Sequence, residues 1–293
     1  MSALRTPIRG LLQGIIHHTA RSLDEQELAR SSIVFAPHFD DETLGCGGTI
    51  IKKKAVGADV RIVFMTDGTA SHSGLLPTDT LAEMRTREGL AAARVLGVEP
   101  HDVFLLGFVD SRLGVQYDAA ERRVAEILRE CRPQTVFIPY RHDQLADHVA
   151  TNGIVSSALR CCKHDVIVYE YPIWFWEHWP WLKSQHCAEE SLLRMLKAGW
   201  RADLRLLREP RCRIRVADVN WRKRAALEKH RSQTLRLRSD VDWPVLGDVW
   251  DGDFLECFFL EYELFVRKTR WAGTQRVREE RRMRRVSCES CAQ

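Results

Sequence analysis

The sequence predicts an α/β fold with a doubly wound, mostly parallel sheet and helices on both faces. Short apolar runs, which are typical of buried strands, alternate along the chain with longer segments of helical period. This alternation is typical of parallel strands joined by crossover helices. The chain has 293 residues and 45% apolar content, enough for a substantial core. No run approaches the ~20 apolar residues of a membrane span, so we expect a globular protein.

Strands and helices follow one another through most of the chain. The predicted strands are a run that begins at Ile33 and the segments 59–66, 102–106, 135–138, 165–171 and 213–219. The predicted helices are 42–56, 81–96, 121–131, a helix that starts at His148, 189–208 and 221–233. For 254–266, whose alternation is imperfect, helix and strand both stay open.

These elements indicate one catalytic domain with two terminal extensions. We expect an amphipathic helical lead-in at 1–30, the catalytic domain at 31–266 with a helical insertion at about 182–212, and a basic tail at 267–293. The tail carries nine Lys or Arg against three Glu. We expect it to be solvated and to bind no specific nucleic acid.

The cysteines and the N-terminus indicate a reducing compartment. Nine cysteines show no framework spacing, which fits free thiols. Cys288 and Cys291 form a C-x-x-C near the end, but without a second such pair we favour a solvated tail over a metal site. The first apolar segment is short and no small-residue cleavage site follows it, so we expect a cytoplasmic protein.

Imidazole and carboxylate groups are concentrated where the first predicted strand ends. Open α/β sheets place their chemistry at that edge, beyond the carboxyl ends of the strands. Because zinc binds neutral nitrogen and anionic oxygen, His38 and Asp41 are candidate metal ligands. Asp40 would lie beside the metal, free to take a proton from bound water. The alternative is that Asp40, Asp41 and Glu42 only cap the following helix and complement its dipole.

A second imidazole follows the fourth predicted strand. If the first and fourth strands run parallel, their carboxyl ends share one edge, and His148 can approach His38 and Asp41. We expect Asp147 to be the N-cap of the helix that starts at His148. The positive end of that helix disfavours imidazolium, which would leave a neutral ring able to bind metal. A surface histidine is the alternative.

The order of these motifs resembles the LmbE-like, or PIG-L, family of zinc-dependent N-acetylglucosaminyl deacetylases. The matching segments are PHFDDE at 37–42, Arg85 and Glu88 in one helix, Asp110 after LGF, D-H-x-x-T at 147–151, EYPIW at 170–174, and Lys223, Ala226, His230, Ser232 and Gln233. Together they cover about residues 30–266. The resemblance implies an LmbE-like, Rossmann-like fold.

The resemblance also implies a reaction and roles for individual residues. The metal, Zn²⁺ with Fe²⁺ as an alternative, would be held by His38, Asp41 and His148. Metal-bound water would attack the acetamide carbonyl of an N-acetylated amino sugar in a glycoconjugate, with Asp40 as general base. The group linked to the sugar could be a lipid or a polymer, and the sequence leaves both alternatives open.

Two further residues would contact sugar hydroxyls by resemblance, Arg85 and Asp110. Their alternatives are a helix salt-bridge partner and a turn former.

One position departs from the family pattern. The family usually reads H-x-D-H before the helix, with its first His assisting the transition state, and this chain has Leu145 there. Leu145 cannot donate a proton. Either His142 reaches the site as the catalytic imidazole, or another loop supplies one, such as His72, or the protein is a weak or inactive sugar-binding relative.

A nucleotide-binding protein that uses LGCGG at 44–48 as a phosphate cradle is a further alternative. We favour it less, because the glycines do not form G-x-G-x-x-G and the acidic pair beside them would repel phosphate.

Basic and aromatic segments in the second half leave two questions open. The helix at 189–208 has a basic polar face and an apolar face, which fits packing over the site, our preferred interpretation, or peripheral contact with the inner face of a membrane. The tryptophans between 174 and 181 suit sugar stacking or a packed core. The sequence does not determine the oligomeric state.

Overall fold

A mixed eight-stranded sheet organises the chain in the computed structural model, which describes residues 2–178, 180–182 and 189–270. The strands are β1 Arg21–Ser22, β2 Ser32–Ala36, β3 Val60–Thr66, β4 Val103–Phe108, β5 Thr135–Pro139, β6 Val166–Tyr171, β7 Arg211–Arg215 and β8 Tyr262–Arg270. Their order is β1-β7-β8-β6-β5-β2-β3-β4. Only β8, among these strands, runs antiparallel to its neighbours. The predicted fold class is confirmed.

Helices connect the strands and cover both faces of the sheet. They are α1 Ser2–Thr19, α2 Glu25–Leu28, α3 Asp41–Ala55, α4 Thr78–Leu96, α5 Tyr117–Cys131, α6 Ala146–Ala158, α7 Glu189–Arg208, α8 Asn220–Leu227, α9 Arg231–Thr234 and α10 Asp253–Glu256. The end of α4 shows how the sequence sets a boundary. Gly97 takes a left-handed φ of 96°, which glycine adopts without steric cost, and its N–H closes the last turn.

Two apolar cores lie on opposite faces of the sheet, as the strand period requires. Along β2, Ile33 and Phe35 belong to the core beneath α5 and α6. Val34 and Ala36 belong to the larger core beneath α3, α4 and α8. Because successive side chains of a strand point to opposite faces, a strand buried on both sides is apolar throughout. That accounts for the continuous apolar run of β2.

The strand order creates a crevice at the carboxyl end of β2. From β2 the chain moves first to β3 and β4 on one side, and later to β5 and β6 on the other. Loops that leave β2 and β5 therefore diverge, and ligands of open α/β sheets bind in the crevice at such a switch point. The segments that contain His38 and His148 follow these two strands.

Three elements differ from the sequence prediction. The segment 254–266 contains both a short helix, α10, and the start of β8, which continues to Arg270. The predicted lead-in supplies β1, which pairs with β7. The helix predicted to start at His148 begins at Ala146, with Leu145 at the N-cap position and no side-chain cap. The division into domains stays a prediction.

The glycines of α3 have a packing role. A Cβ on Gly45 would lie 2.4 Å from Cδ2 of Tyr171, and one on Gly48 would lie 2.5 Å from Cγ1 of Val216. These glycines lie inside the helix and let β6 and the segment after β7 approach it closely. A phosphate cradle would need these glycines in the loop before the helix. The LGCGG segment therefore does not support the nucleotide-binding alternative.

The remaining predictions concern the cysteines, the tryptophans and the basic segments. The described cysteines are free, in agreement with reduced thiols. Trp176 and Trp181 pack edge to face in the core, whereas Trp179, the segment 183–188 and the tail residues 271–293, with Cys288 and Cys291, lie outside the described residues. On α7, Trp200 and Leu204 are exposed. None of the described helices combines the length and hydrophobicity needed to cross a bilayer.

Candidate metal centre

The structure brings His38, Asp41 and His148 together at the switch point. His38 follows β2, Asp41 begins α3, and His148 lies in the first turn of α6. One candidate ligand atom from each residue lies within 4.8 Å of the others. The carboxylate oxygen Oδ2 of Asp41 is 3.3 Å from both Nδ1 of His38 and Nε2 of His148. The arrangement offers two imidazoles and one carboxylate, the donor types that zinc accepts.

The hydrogen bonds of His148 show that this group suits a cation. Nδ1 donates to Oδ2 of Asp143 at 3.0 Å, so Nε2 is the nitrogen that faces Asp41. Nε2 is buried and has no hydrogen-bond partner among the residues that the structure describes. A metal-ligating histidine commonly donates its other N–H to a carboxylate, which orients the ring. The unpartnered nitrogen and the carboxylate beside it therefore fit a bound divalent ion.

The charge state of His148 differs from the sequence prediction. Burial lowers the pKa of His148, but Asp41 and Asp143 outweigh burial and raise that pKa to about 9. In the absence of a cation, the two carboxylates therefore act on the ring more strongly than the helix N-terminus, which was expected to keep it neutral. A cation bound here replaces that proton, so metal binding should release it.

The second nitrogen of His38 faces two more carboxylates. Nε2 lies 3.3 Å from Oδ1 of Asp110 and 3.6 Å from Oδ2 of Asp147, and these atoms form a second group with metal-binding spacing. Because one ring serves both groups, the simpler assignment is that these carboxylates hold the ring while Nδ1 faces Asp41. Burial opposes ionisation of Asp110, yet hydrogen bonds from His38 and from the backbone of Ala70 lower its pKa to about 2.

Asp147 does not cap α6, contrary to the prediction. Its carboxylate instead accepts the backbone N–H groups of Ser111, at 2.7 Å, and Leu113, at 3.2 Å. These bonds tie the loop after β4 to the first turn of α6, so Asp147 supports the second group around His38.

Asp40 lies beside the group of His38, Asp41 and His148 but is not one of the candidate ligands in that group. Its φ of 116° is left-handed, a strained conformation that costs on the order of 1–3 kcal/mol for a residue with a side chain. Burial, together with the neighbouring carboxylates Asp41 and Glu42, raises the pKa of Asp40 to about 8. A carboxyl with a pKa near neutrality can both accept and return a proton.

His38, Asp40, Asp41 and Asp110 line a cavity of about 440 Å³ with two unlike sides. We use the name polar floor for six of its polar lining residues: His38, Asp40, Asp41, Arg85, Asp110 and Gln233. We use the name apolar wall for six of its apolar lining residues: Leu145, Ile173, Trp174, Leu246, Val249 and Phe254. Trp174 and Phe254 stack with ring centroids 4.6 Å apart. The volume is within the usual range of small-molecule pockets.

Comparison with known proteins agrees with this geometry. Residues 33–159 match the family described as PIG-L: GlcNAc-PI de-N-acetylase, and the match includes all three candidate ligands. We refer to residues 33–159 as the segment matched by PIG-L. The resemblance predicted from the motifs is thus confirmed.

Two curated relatives and a solved structure are similar to the chain. Diacetylchitobiose deacetylase of Thermococcus kodakarensis is 33% identical over 104 residues, which is 35% of this chain and 38% of the relative. The 1D-myo-inositol 2-acetamido-2-deoxy-alpha-D-glucopyranoside deacetylase of Kineococcus radiotolerans is 29% identical over 172 residues, covering 46% of this chain and 47% of the relative. The chain therefore spans less than half the length of these curated relatives.

The structure of N,N'-diacetylchitobiose deacetylase from Pyrococcus horikoshii has a TM-score of 0.59 and 21% identity, and covers 90% of this chain and 92% of that one. At this identity the likeness shows a shared fold, which extends beyond the segment matched by PIG-L.

Arg85 and Asp110 both line this cavity, and their contact with sugar hydroxyls stays a prediction. Arg85 donates to the carbonyl of Gly68, to Oγ of Ser71 at 2.8 Å and to Nδ1 of His72 at 2.8 Å. It therefore holds the loop after β3, and the alternative of a salt bridge along its own helix is not what the structure shows.

The structure does not bring His142 to this group. Its ring is exposed and packs edge to face on Tyr140, 5.4 Å away, and it does not line the cavity. His72 does line the cavity, but Nε2 donates to the carbonyl of Pro244 at 3.0 Å while Nδ1 accepts from Arg85. Burial and the charge of Arg85 lower the pKa of His72, so this ring is neutral and fully engaged.

Sequence reasoning missed the role of Asp143 and assigned none to Gln233. Asp143 is the one acidic residue of the loop between β5 and α6. The rule that a ligating histidine needs a carboxylate partner could have singled it out, since it precedes His148 by five residues. Gln233 comes close to Asp40 only through tertiary folding, 193 residues along the chain.

Proposed function

We propose that this chain is a metal-dependent hydrolase that removes the N-acetyl group from an N-acetylated amino sugar. One observation carries the proposal: the buried Nε2 of His148 has no hydrogen-bond partner among the described residues and faces Asp41, which lines one cavity together with His38 and Asp40. The two relatives above, whose names describe deacetylases of acetamido sugars, support the choice of reaction.

The ligands would be His38, Asp41 and His148, and the donor set suits Zn²⁺, with Fe²⁺ as the alternative. When bound, such an ion polarises the amide carbonyl and lowers the pKa of a water molecule. Asp143 holds the ring of His148 in the tautomer that leaves Nε2 free. Asp110 and Asp147 orient the ring of His38.

Asp40 would act as the general base. Its carboxylate takes a proton from the water that attacks the carbonyl carbon, and the resulting tetrahedral species must then expel an amine. Collapse of that species needs a proton on the leaving nitrogen. Leu145 has none to give, His72 is neutral and held on both nitrogens, and His142 is outside the cavity. We therefore assign the return of the proton to Asp40 as well.

Arg85 and Asp110 would contact the sugar hydroxyls. Three of the five N–H donors of the Arg85 guanidinium go to the loop after β3 and a fourth, on Nε, is buried, so one donor on Nη1 remains for a ligand.

The apolar wall supports a glycoconjugate in which an apolar group follows the sugar. Leu145 is 37% exposed within the cavity, and Trp174, Leu246 and Val249 are half-buried there. Apolar surface of this kind is stabilised when a ligand covers it. We propose an aryl or alkyl group, including a lipid chain, at this position.

A second candidate is a sugar-binding relative with weak or no catalysis, favoured by Leu145 at the position of the first His in H-x-D-H. Electrophilic or acid assistance is worth about 10²–10⁴-fold, so its loss would slow the reaction without affecting the metal. Metal binding and sugar binding without acetate release would select this candidate.

The deciding experiment combines metal analysis of the purified protein with acetate release from a panel of N-acetylhexosamine conjugates. His148→Ala should remove metal and activity together, because it deletes the unpartnered nitrogen. His142→Ala is the matched control, since its ring is exposed and outside the cavity. Leu145→His should raise turnover if no other group delivers the proton. Retention of metal by His148→Ala would contradict the proposed ligand set.

A cytoplasmic location and peripheral contact with a membrane stay predictions from the sequence. The exposed side chains of Lys197, Trp200, Arg201, Leu204 and Arg205 on α7 support membrane contact. Co-sedimentation of the protein with anionic and with neutral vesicles would check the membrane contact. Equal amounts of protein bound to both kinds of vesicle would count against this contact.

A further inference from the structure

The side chain that is proposed as general base depends on a residue far away in sequence. The backbone of Asp40 is held within its own segment: its N–H donates to Oε2 of Glu42 at 3.0 Å, and its carbonyl accepts from the N–H of Leu44 at 2.8 Å. These bonds fix the position of Cα and leave the carboxylate free to rotate. Oδ2 of Asp40 accepts a hydrogen bond from Nε2 of Gln233, which therefore sets the direction of the carboxylate.

Gln233 is itself held in place by buried partners. Ser232, its neighbour in α9, donates its backbone N–H to Glu88 at 2.9 Å and its hydroxyl to the same carboxylate at 2.6 Å. His230, three residues before Gln233, is fully buried, and its Nε2 lies 2.9 Å from Oε1 of Glu42. The segment 230–233 is thus tied to α4 and to the start of α3, so its side chains have little freedom to move relative to Asp40.

The amide of Gln233 is not explained by stability. Because its nitrogen faces the acceptor Asp40, its oxygen must point the other way. Oε1 is buried and lacks a hydrogen-bond partner within the described parts of the chain. An acceptor left unpaired in the interior destabilises a fold, and this cost offsets what the bond from Nε2 to the buried Asp40 contributes to stability. A residue that is unfavourable for folding and contacts a reacting group is expected at a functional site.

We propose that Gln233 is a positioning residue, which aims the carboxylate of Asp40 at the attacking water. This inference rests on the proposed function, in which Asp40 is the base. It predicts that loss of the amide N–H impairs the chemical step and leaves the fold, the metal and sugar binding in place.

The test compares Gln233→Met with the wild type. Methionine has nearly the length of glutamine, lacks the donor, and removes the unpaired oxygen. We expect kcat to fall about 10- to 100-fold, as for a misplacement of a catalytic group by about 1 Å. KM should stay within about twofold, metal content should be unchanged, and the melting temperature should be unchanged or higher.

Gln134→Met is the matched control. Gln134 is exposed and precedes β5, at the edge of the sheet opposite the cavity, where its Oε1 accepts from the N–H of Ser31. The same substitution there should leave kcat unchanged. A fall in melting temperature in Gln233→Met, with activity lost only in proportion to unfolded protein, would overturn the proposal in favour of a structural role.

A double-variant comparison tests the route of the effect. If Gln233 acts through Asp40, then Gln233→Met should have no further effect on the residual activity of Asp40→Asn. A multiplicative loss would contradict this.

A crystal structure of Gln233→Met gives a readout that does not need turnover. We expect the carboxylate of Asp40 to adopt a different side-chain rotamer, and an unchanged rotamer would refute the positioning role. If the wild type releases no acetate but the rotamer changes, the proposed function fails while the positioning role stands.

Discussion

Different interactions hold the two sides of the cavity in place. Every residue of the polar floor makes a hydrogen bond or an ion pair to another buried group, as Asp110 does with His38 and with the backbone of Ala70. The apolar wall is held by packing, such as the stacking of Trp174 on Phe254. Apart from Gln233, the floor lies within the segment matched by PIG-L, whereas five of the six wall residues lie after that segment.

This difference separates reaction from recognition. Charged groups in a buried site are costly unless each is paired, so the floor tolerates few substitutions and few geometries. An apolar wall needs only shape and volume, which many side chains can supply. We therefore expect changes in the floor to alter the chemistry, and changes in the wall to alter the choice of substrate.

The largest effect should come from the base. Asp40→Asn should lower kcat by about 10²–10⁴-fold, because the proton acceptor is lost, while metal content measured on the same preparation stays unchanged. Loss of metal in this variant would show that Asp40 is a ligand instead.

The same variant also gives a pH-dependent change in stability. The pKa of Asp40 is raised from its ordinary 3.8 to about 8, so the folded protein holds a proton that the unfolded chain has lost. Folding stability attributable to this group therefore falls as pH rises from about 4 to 8. In chelator-treated protein, Asp40→Asn should raise the melting temperature more at pH 8 than at pH 5. An equal gain at both pH values would rule out the raised pKa.

A smaller effect should follow from substitution of Asp143, the carboxylate that holds the ring of the candidate ligand His148. Asp143→Asn removes the charge that orients His148, and we expect metal affinity, measured by competition with a chelator, to fall about 10- to 100-fold. Asp118→Asn, the same change at an exposed position of α5, should leave affinity unchanged. Equal affinity in the Asp143 variant would mean that packing alone holds the ring.

The smallest effect should come from the wall. Leu246→Asn removes apolar contact, at about 0.8 kcal/mol per buried methylene, and should raise KM for an N-acetylglucosaminide with an alkyl or aryl aglycone by roughly 3- to 10-fold. KM for the same sugar without that group should change little. Leu105→Asn, at an exposed position of β4, is the control. Equal changes in KM for both substrates would show that the apolar wall does not take part in recognition of the substrate.

The sequence supplied the polar floor more completely than the wall. His38, Asp40 and Asp41 are close along the chain, so their spacing and the strand before them were enough to predict a site. His148 could be added because parallel strands end at one edge. Asp147 was assigned to the wrong partner, because cap and loop contacts use the same carboxylate chemistry and only the fold selects between them.

Proximity along the chain was a poor guide to catalytic partners. His142 is three residues from Leu145, yet its exposed ring lies outside the cavity. Gln233 is far away in sequence and contacts Asp40 directly. Side-chain direction depends on how each loop packs, which local sequence does not specify.

By itself the sequence determined the strand and helix pattern, the parallel sheet and the candidate metal ligands, because hydrophobic period and clustered polar motifs are local properties. Only the tertiary structure decided which nitrogen of His148 is free, which carboxylate holds it, and which apolar side chains face the site. The reason is that β5 adjoins β2 through a long-range crossover, and the hydrogen bonds that orient each ring are made between segments that meet only when the sheet has formed.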